Sequence, residues 1–153
     1  MVELGFRGNQ EEYYDPLNSF LHMVIERRLG NPITLSVLGI EVGRRAGLPL
    51  SGIGLPGHFL LRDDGGGGFY DPFNGWERID PASVDLGLEL LPAQSKVQML
   101  ARMLGNLVRI YQERGDRVNL EWVLRLRLAL PGTPERLQGR LETALRRLRS
   151  PLN

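Results

Sequence analysis

A chain of 153 residues, 42% hydrophobic and 24% charged, has room for one domain, or one small domain with a helical appendage, and its composition is that of a globular protein with a core. It has no cysteine, which excludes disulfides, zinc–thiolate and iron–sulfur sites and every thiol nucleophile. The net charge of +1 hides a split, because residues 1–95 carry 7 basic and 13 acidic groups while residues 96–153 carry 12 basic and 5 acidic.

Composition changes at the same place, from Gly, Pro and β-branched residues to Leu/Arg-rich helical sequence. A boundary near Pro92 is therefore expected, giving domains at 1–91 and 92–153. No apolar run approaches the ~18 residues that span a bilayer, and the first residues lack the layout of a signal peptide. These features predict a cytoplasmic protein with no membrane partner.

In chain order, Asp15 and Pro16 have the chemistry of an N-cap and a first helical residue. Leu17, Phe20, Leu21, Val24 and Ile25 then recur at helical spacing, which predicts one amphipathic helix from Asp15 to Leu29, stopped by Gly30. A second helix starts the same way at Asn31-Pro32 and runs to about Ala46. Its apolar residues surround it, so it is expected in the middle of the domain. Ser36, Gly39 and Gly43 form a small-residue stripe that predicts close approach by another element.

Pro49 to Leu55 and Gly57 to Arg62 read as strands separated by a break at Pro56-Gly57. Asp63 to Gly68 reads as a turn, Phe69-Tyr70-Asp71 begins the return strand, and the turn from Asp71 to Gly75 closes the sheet region. The glycine run has no Lys and opens no helix, so it is a turn and not a phosphate cradle. Three helices follow, Lys96 to Arg114, Leu120 to about Leu130, and Glu135 to about Leu148.

The chain has only two histidines. His22 falls one residue off the apolar stripe and is read as surface or groove-lining. His58 shares a strand face with Leu60 and Arg62 by alternation. If the hairpin closes in an odd-sum register, for example Asp63 opposite Gly68, Asp71 lies on that face too and can orient the imidazole. An even-sum register would separate them. No metal-ligand spacing accompanies either histidine, and neither metal nor cofactor is expected.

The stretch from Tyr13 to Gly75 contains DPLNSFL, GNPITLSVL, LPGHFLLR and DPFNG, and it resembles the SirB-type transglutaminase-like domain. Members of that family are mostly bacterial, and a related domain occurs in an animal F-box protein. The resemblance implies an α+β, papain-like fold in which a buried central helix, with a catalytic Cys at its N-terminus, packs on a small antiparallel sheet that supplies His and Asp. It implies that His58 is the triad histidine and Asp71 the triad aspartate. Counting back without gaps from Gly47-Leu48-Pro49 puts Pro32 at the nucleophile position, and the neighbours Asn31 and Ile33 offer no substitute.

The nearest hydroxyls belong to Thr34 and Ser36. Ser36 lies about 6 Å further along the helix axis, and Thr34 is turned by about 200°. Both are better read as packing or capping residues. The primary reading is a transglutaminase-like protein with a degenerate triad, acting as a non-catalytic protein-interaction or regulatory module. The alternative is a hydrolase or acyl-transfer enzyme with Ser36 or Thr34 as nucleophile and His58 as base.

Leu107, Tyr111, Gly115-Asp116, Leu120, Leu124, Leu128 and Pro131 fall near the spacing of one tetratricopeptide-like helical hairpin, although Leu120 replaces the usual small residue and Trp122 lies outside the pattern. A lone repeat needs a neighbour to bury its apolar face, so these helices either complete the core or present a peptide-binding face. The arginines at 125, 127, 146, 147 and 149 come with little aromatic interleaving and no recognition motif, so nucleic acid is not the expected partner. A protein partner is expected. Family members commonly carry more helical sequence ahead of the DPLNSFL segment, which predicts a homodimer here.

Overall fold

The computed structural model describes residues 1–66, 68–80 and 87–150. The chain divides into two compact units, Met1–Met99 and Leu100–Asn153.

The first unit is built around helix α2 (Pro32–Arg45) and a four-stranded antiparallel sheet. Its strands run in sequence order: β3 (Leu50–Leu55), β4 (His58–Asp63), β5 (Gly68–Asp71) and β6 (Glu77–Ile79). The Asn31 side chain caps α2 by accepting the Thr34 N–H at 3.0 Å, and the Thr34 hydroxyl accepts the Asn31 N–H at 3.1 Å. This reciprocal capping box fixes where the helix begins, with Pro32 in the first turn, where a missing N–H costs nothing.

The small-residue stripe of α2 is its contact with the sheet. A Cβ on Gly39 would come within 2.8 Å of Leu61 Cδ1, and one on Gly43 within 2.7 Å of Leu50 Cδ1. A larger residue would fit only if these side chains shifted. The N-terminal half of α2 is buried, whereas its far end is open: Val42 is exposed, and Arg44 and Arg45 pair with Glu41 at the surface. The expectation of a helix surrounded on all sides holds for its first two turns only, because in the last turn the sheet covers only the Gly43 side.

Pro56 and Gly57, expected as a break, form a two-residue turn that joins β3 to β4 with Leu55 opposite His58, and Gly57 adopts a φ of 71°. Between β4 and β5 the register pairs Leu61 with Tyr70, Arg62 with Phe69 and Asp63 with Gly68, which is an odd-sum pairing. Gly65 and Gly66 lie in the connecting turn, and Gly67 lies outside the described residues. Leu61 meets α2, while Leu60 joins Ile53, Phe69 and Leu88 in a cluster on the other side of the sheet. That second cluster is why Phe59, Leu60 and Leu61 are all buried in succession.

Three elements of this unit differ from expectation. The single helix from Asp15 to Leu29 is two pieces, a 3-10 turn at Pro16–Ser19 capped by Asp15 and helix α1 (Leu21–Arg27). Asn18 and Ser19 turn their side chains inward to hydrogen-bond with other segments, Phe20 between the pieces is extended, and Arg28 ends α1 in a left-handed conformation. Leu29–Gly30 then forms strand β2, parallel to β1 (Arg7–Gly8), so Gly30 is paired backbone rather than a helix stop. Strand β6 lies beyond the turn that was expected to close the sheet.

The second unit contains most of α3 (Lys96–Glu113), with α4 (Arg117–Leu128) and α5 (Glu135–Arg149). Helix α4 begins three residues before the expected Leu120 because Asp116 caps it, accepting the Asn119 N–H at 3.1 Å. Leu104, Leu107, Ile110, Tyr111, Leu120, Val123, Leu124, Leu141 and Leu145 form its buried apolar positions.

Candidate functional site

Asp71 ends β5 and opens a tight turn. Its Oδ1 accepts the backbone N–H groups of Phe73 at 3.0 Å and Asn74 at 3.2 Å, and its Oδ2 accepts the Asn74 side-chain amide at 2.7 Å. The remaining partner is His58, whose Nε2 lies 2.8 Å from Asp71 Oδ2. Register explains the meeting: residues facing each other across β4 and β5 point to the same side, so Asp71 falls on the face that carries His58.

Asp71 is 7% exposed. Burial pushes its carboxyl up, but the hydrogen bonds from His58 and Asn74 outweigh burial and hold it below the usual carboxylate range. An ionised carboxylate only accepts, so the proton in the 2.8 Å bond sits on Nε2. Nδ1 is then the nitrogen that would act as base in a nucleophile–base–orienter arrangement. The ring is also packed: Phe73 meets it edge-on at 6.4 Å between centroids, and Tyr13 meets Phe73 at 5.6 Å.

The structure therefore brings two of the five candidate residues together. Pro32 is buried in the first turn of α2 and carries no nucleophilic atom. Thr34 has no exposed surface; its hydroxyl lies 2.7 Å from the Asn18 carbonyl, which accepts it, and it receives the Asn31 N–H in the capping box. Ser36 also has no exposed surface and donates to the Pro32 carbonyl at 2.8 Å, one turn back along its own helix. Both hydroxyls are engaged by backbone.

Sequence reasoning passed over Asn74, which supplies two of the donors that hold Asp71. Its signal was available, because Asp-Pro-Phe-Asn is a turn sequence in which an Asp carboxylate commonly accepts backbone N–H groups two and three residues on. Trp76 is held by its indole N–H, which donates to the Phe6 carbonyl at 2.9 Å. His22 is exposed. Among the described residues no three His, Asp or Glu side chains are grouped to hold a metal ion, and no helix is long and apolar enough to cross a membrane.

The sequence model of the transglutaminase-like superfamily matches residues 1–105. A UPF0162 protein of Xylella fastidiosa is 43% identical over 90% of the chain and 56% of its own length, and a UPF0162 protein of Pseudomonas aeruginosa is 30% identical over 76% of the chain and 47% of its own. F-box only protein 21 of Mus musculus is 47% identical across 39% of the chain, which is 10% of that protein. The chain thus spans about half the length of the bacterial relatives. No solved structure matches it significantly.

Proposed function

The chain belongs to the transglutaminase-like superfamily, and we propose that it is a SirB-type member with a degenerate triad, a cytoplasmic protein-interaction or regulatory module that turns over no substrate. In this reading His58 and Asp71 are the base and its orienter, kept as a hydrogen-bonded pair, and Pro32 stands where active relatives of the fold carry the nucleophile. The carrying observation is the engagement of both candidate hydroxyls: a nucleophile must be reached by substrate and by base, and Thr34 and Ser36 have no exposed surface and donate to backbone carbonyls. The transglutaminase-like domain is taken to end near residue 91, and α3 with α4 to form one tetratricopeptide-like hairpin. The short Gly115-Asp116 connection and the buried Leu107, Tyr111, Leu120 and Leu124 support that reading.

The test is turnover of p-nitrophenyl acetate and of a glutamine-containing peptide by the wild-type chain and the His58→Ala variant. No turnover above the buffer rate by either is expected. Hydrolysis by the wild type that His58→Ala removes would overturn the proposal and restore the hydroxyl-nucleophile enzyme.

A further inference from the structure

Among the described residues four glycines lie inside α-helices, and packing explains three of them. A Cβ on Gly39, Gly43 or Gly105 would come within 2.8, 2.7 or 3.0 Å of the side chain of Leu61, Leu50 or Arg127. Gly139, inside α5, is different, because a Cβ there would meet nothing within 4 Å. Glycine in a helix interior costs up to about 1 kcal/mol against alanine, and at Gly139 no contact requires it. The position belongs to a surface groove of about 490 Å³ along α5, lined by Arg136, Gly139, Arg140, Thr143, Ala144 and Arg147. At 100° per residue Arg136, Arg140 and Arg147 fall within about 40° of one another, on the exposed side of α5 opposite the buried Leu141 and Leu145. Along the axis they are about 6 Å and then about 10 Å apart. Arg109, Arg125 and Arg149 of the same unit pair with Glu113 or Glu121, whereas these three have no carboxylate partner among the described residues. The two acids of α5, Glu135 and Glu142, are turned about 100° or more from the row. Thr143 is satisfied within the helix, donating to the Gly139 carbonyl at 2.8 Å and accepting from Arg146 at 3.0 Å, so the guanidinium groups carry the chemistry of the groove.

We propose that this groove binds an extended acidic segment of a partner protein, about six residues long, whose carboxylates take the three guanidinium groups. Charge complementarity at the groove itself sets the sign, because the arginine row is uncompensated there, and the guanidinium fork matches a carboxylate with two parallel hydrogen bonds. Alternate residues of an extended chain stand about 6.6 Å apart, close to the step from Arg136 to Arg140, and the row's length of about 16 Å is that of six residues. With no side chain at Gly139, the segment can lie against the helix. Helix α5 has no aromatic residue on which bases could stack, and the lining of the groove has no large apolar side chain to enter a membrane. The site does not depend on the state of His58 and Asp71.

The experiment is fluorescence anisotropy of labelled hexaglutamate with the full chain, at low and high salt. Saturable binding that weakens at high salt is expected, with none to labelled hexaglutamine. Gly139→Lys and Gly139→Glu test the groove in both directions. Each new side chain has open space and each residue favours a helix more than glycine does, so neither is expected to lower the melting temperature. Gly139→Lys is expected to tighten binding about threefold and Gly139→Glu to weaken it about tenfold. The double variant Arg136→Gln/Arg140→Gln is expected to weaken binding about tenfold, and Arg44→Gln/Arg45→Gln, which removes the same charge from α2, to change it less than about twofold. No saturable binding at low salt, equal binding of hexaglutamine, Gly139 variants that bind alike, or equal losses in the two double variants would each overturn the proposal. A short DNA duplex that binds more tightly than hexaglutamate, and loses that binding in Arg136→Gln/Arg140→Gln, would overturn it in favour of nucleic acid.

Discussion

Two polar clusters lie in the first unit, and they are built on opposite terms. Around the start of α2, Asn9, Asn18, Ser19, Asn31 and Thr34 are all buried, and they bond with one another and with backbone: Asn9 to Asn18, Asn18 to the carbonyls of Glu12 and Tyr13, Asn31 to Ser19, Thr34 to Asn18. At the hairpin, Asp71 is gripped just as fully, but its partner His58 keeps 29% of its side chain in solvent. The first cluster joins four chain segments and has no outlet. The second is anchored through Asp71 and keeps part of its imidazole in solvent. Buried, mutually satisfied polar groups hold a fold together, while a titratable group held in one orientation and left accessible is the arrangement that chemistry or recognition uses.

The difference has measurable consequences, beginning with the closed cluster. Asn18→Ala removes three side-chain hydrogen bonds and strands the buried Asn9 side-chain amide, and it is expected to cost about 3 kcal/mol in urea unfolding. Thr34→Val keeps the shape but leaves the Asn18 carbonyl and the Asn31 N–H only their long 3.5 Å bond to each other, for about 1–2 kcal/mol by the same measurement. If either change proved neutral, the cluster would not be holding the segments around α2.

The open pair should matter far less to stability. His58→Ala leaves Asp71 its donors from Phe73 and Asn74, and the partner lost is partly solvated, so the expected cost is under about 1 kcal/mol. Asp71 gives the pair a pH signature. Its carboxyl is held below its ordinary value of 3.8, so the stability it contributes is fully present above that value and is lost as the pH falls through the lower folded value. Asp71→Asn is expected to flatten that part of the acid limb in a stability–pH profile. An equally steep limb in the variant would show that other carboxylates account for it.

What could be read from the sequence follows the range of the signals. The cap at Asn31, the approach allowed by Gly39 and Gly43, and the pair of registers from which His58 and Asp71 meet or part all depend on neighbours in the chain or on strand alternation, and these are local. The break at Phe20 was hidden because Leu17, Phe20, Leu21, Val24 and Ile25 keep helical spacing across it, while the cause is the demand on Asn18 and Ser19 from segments 9 to 12 residues away. Only Val24 of that expected apolar face is fully buried, since the others do not turn inward with it. Strands β1, β2 and β6 are two or three residues long, too short to show a period. The absent nucleophile was evident from composition, but the engagement of Thr34 and Ser36 rests on long-range and same-helix hydrogen bonds that spacing does not reveal.

The most direct test of the central claim, a base and orienter without a nucleophile, is the intact mass of the wild-type chain after exposure to a fluorophosphonate, a reagent that modifies activated hydroxyls. An unchanged mass is the predicted result. A single adduct on Ser36 or Thr34 that disappears in His58→Ala would contradict the account and mean that one of these hydroxyls leaves its carbonyl and reaches the base.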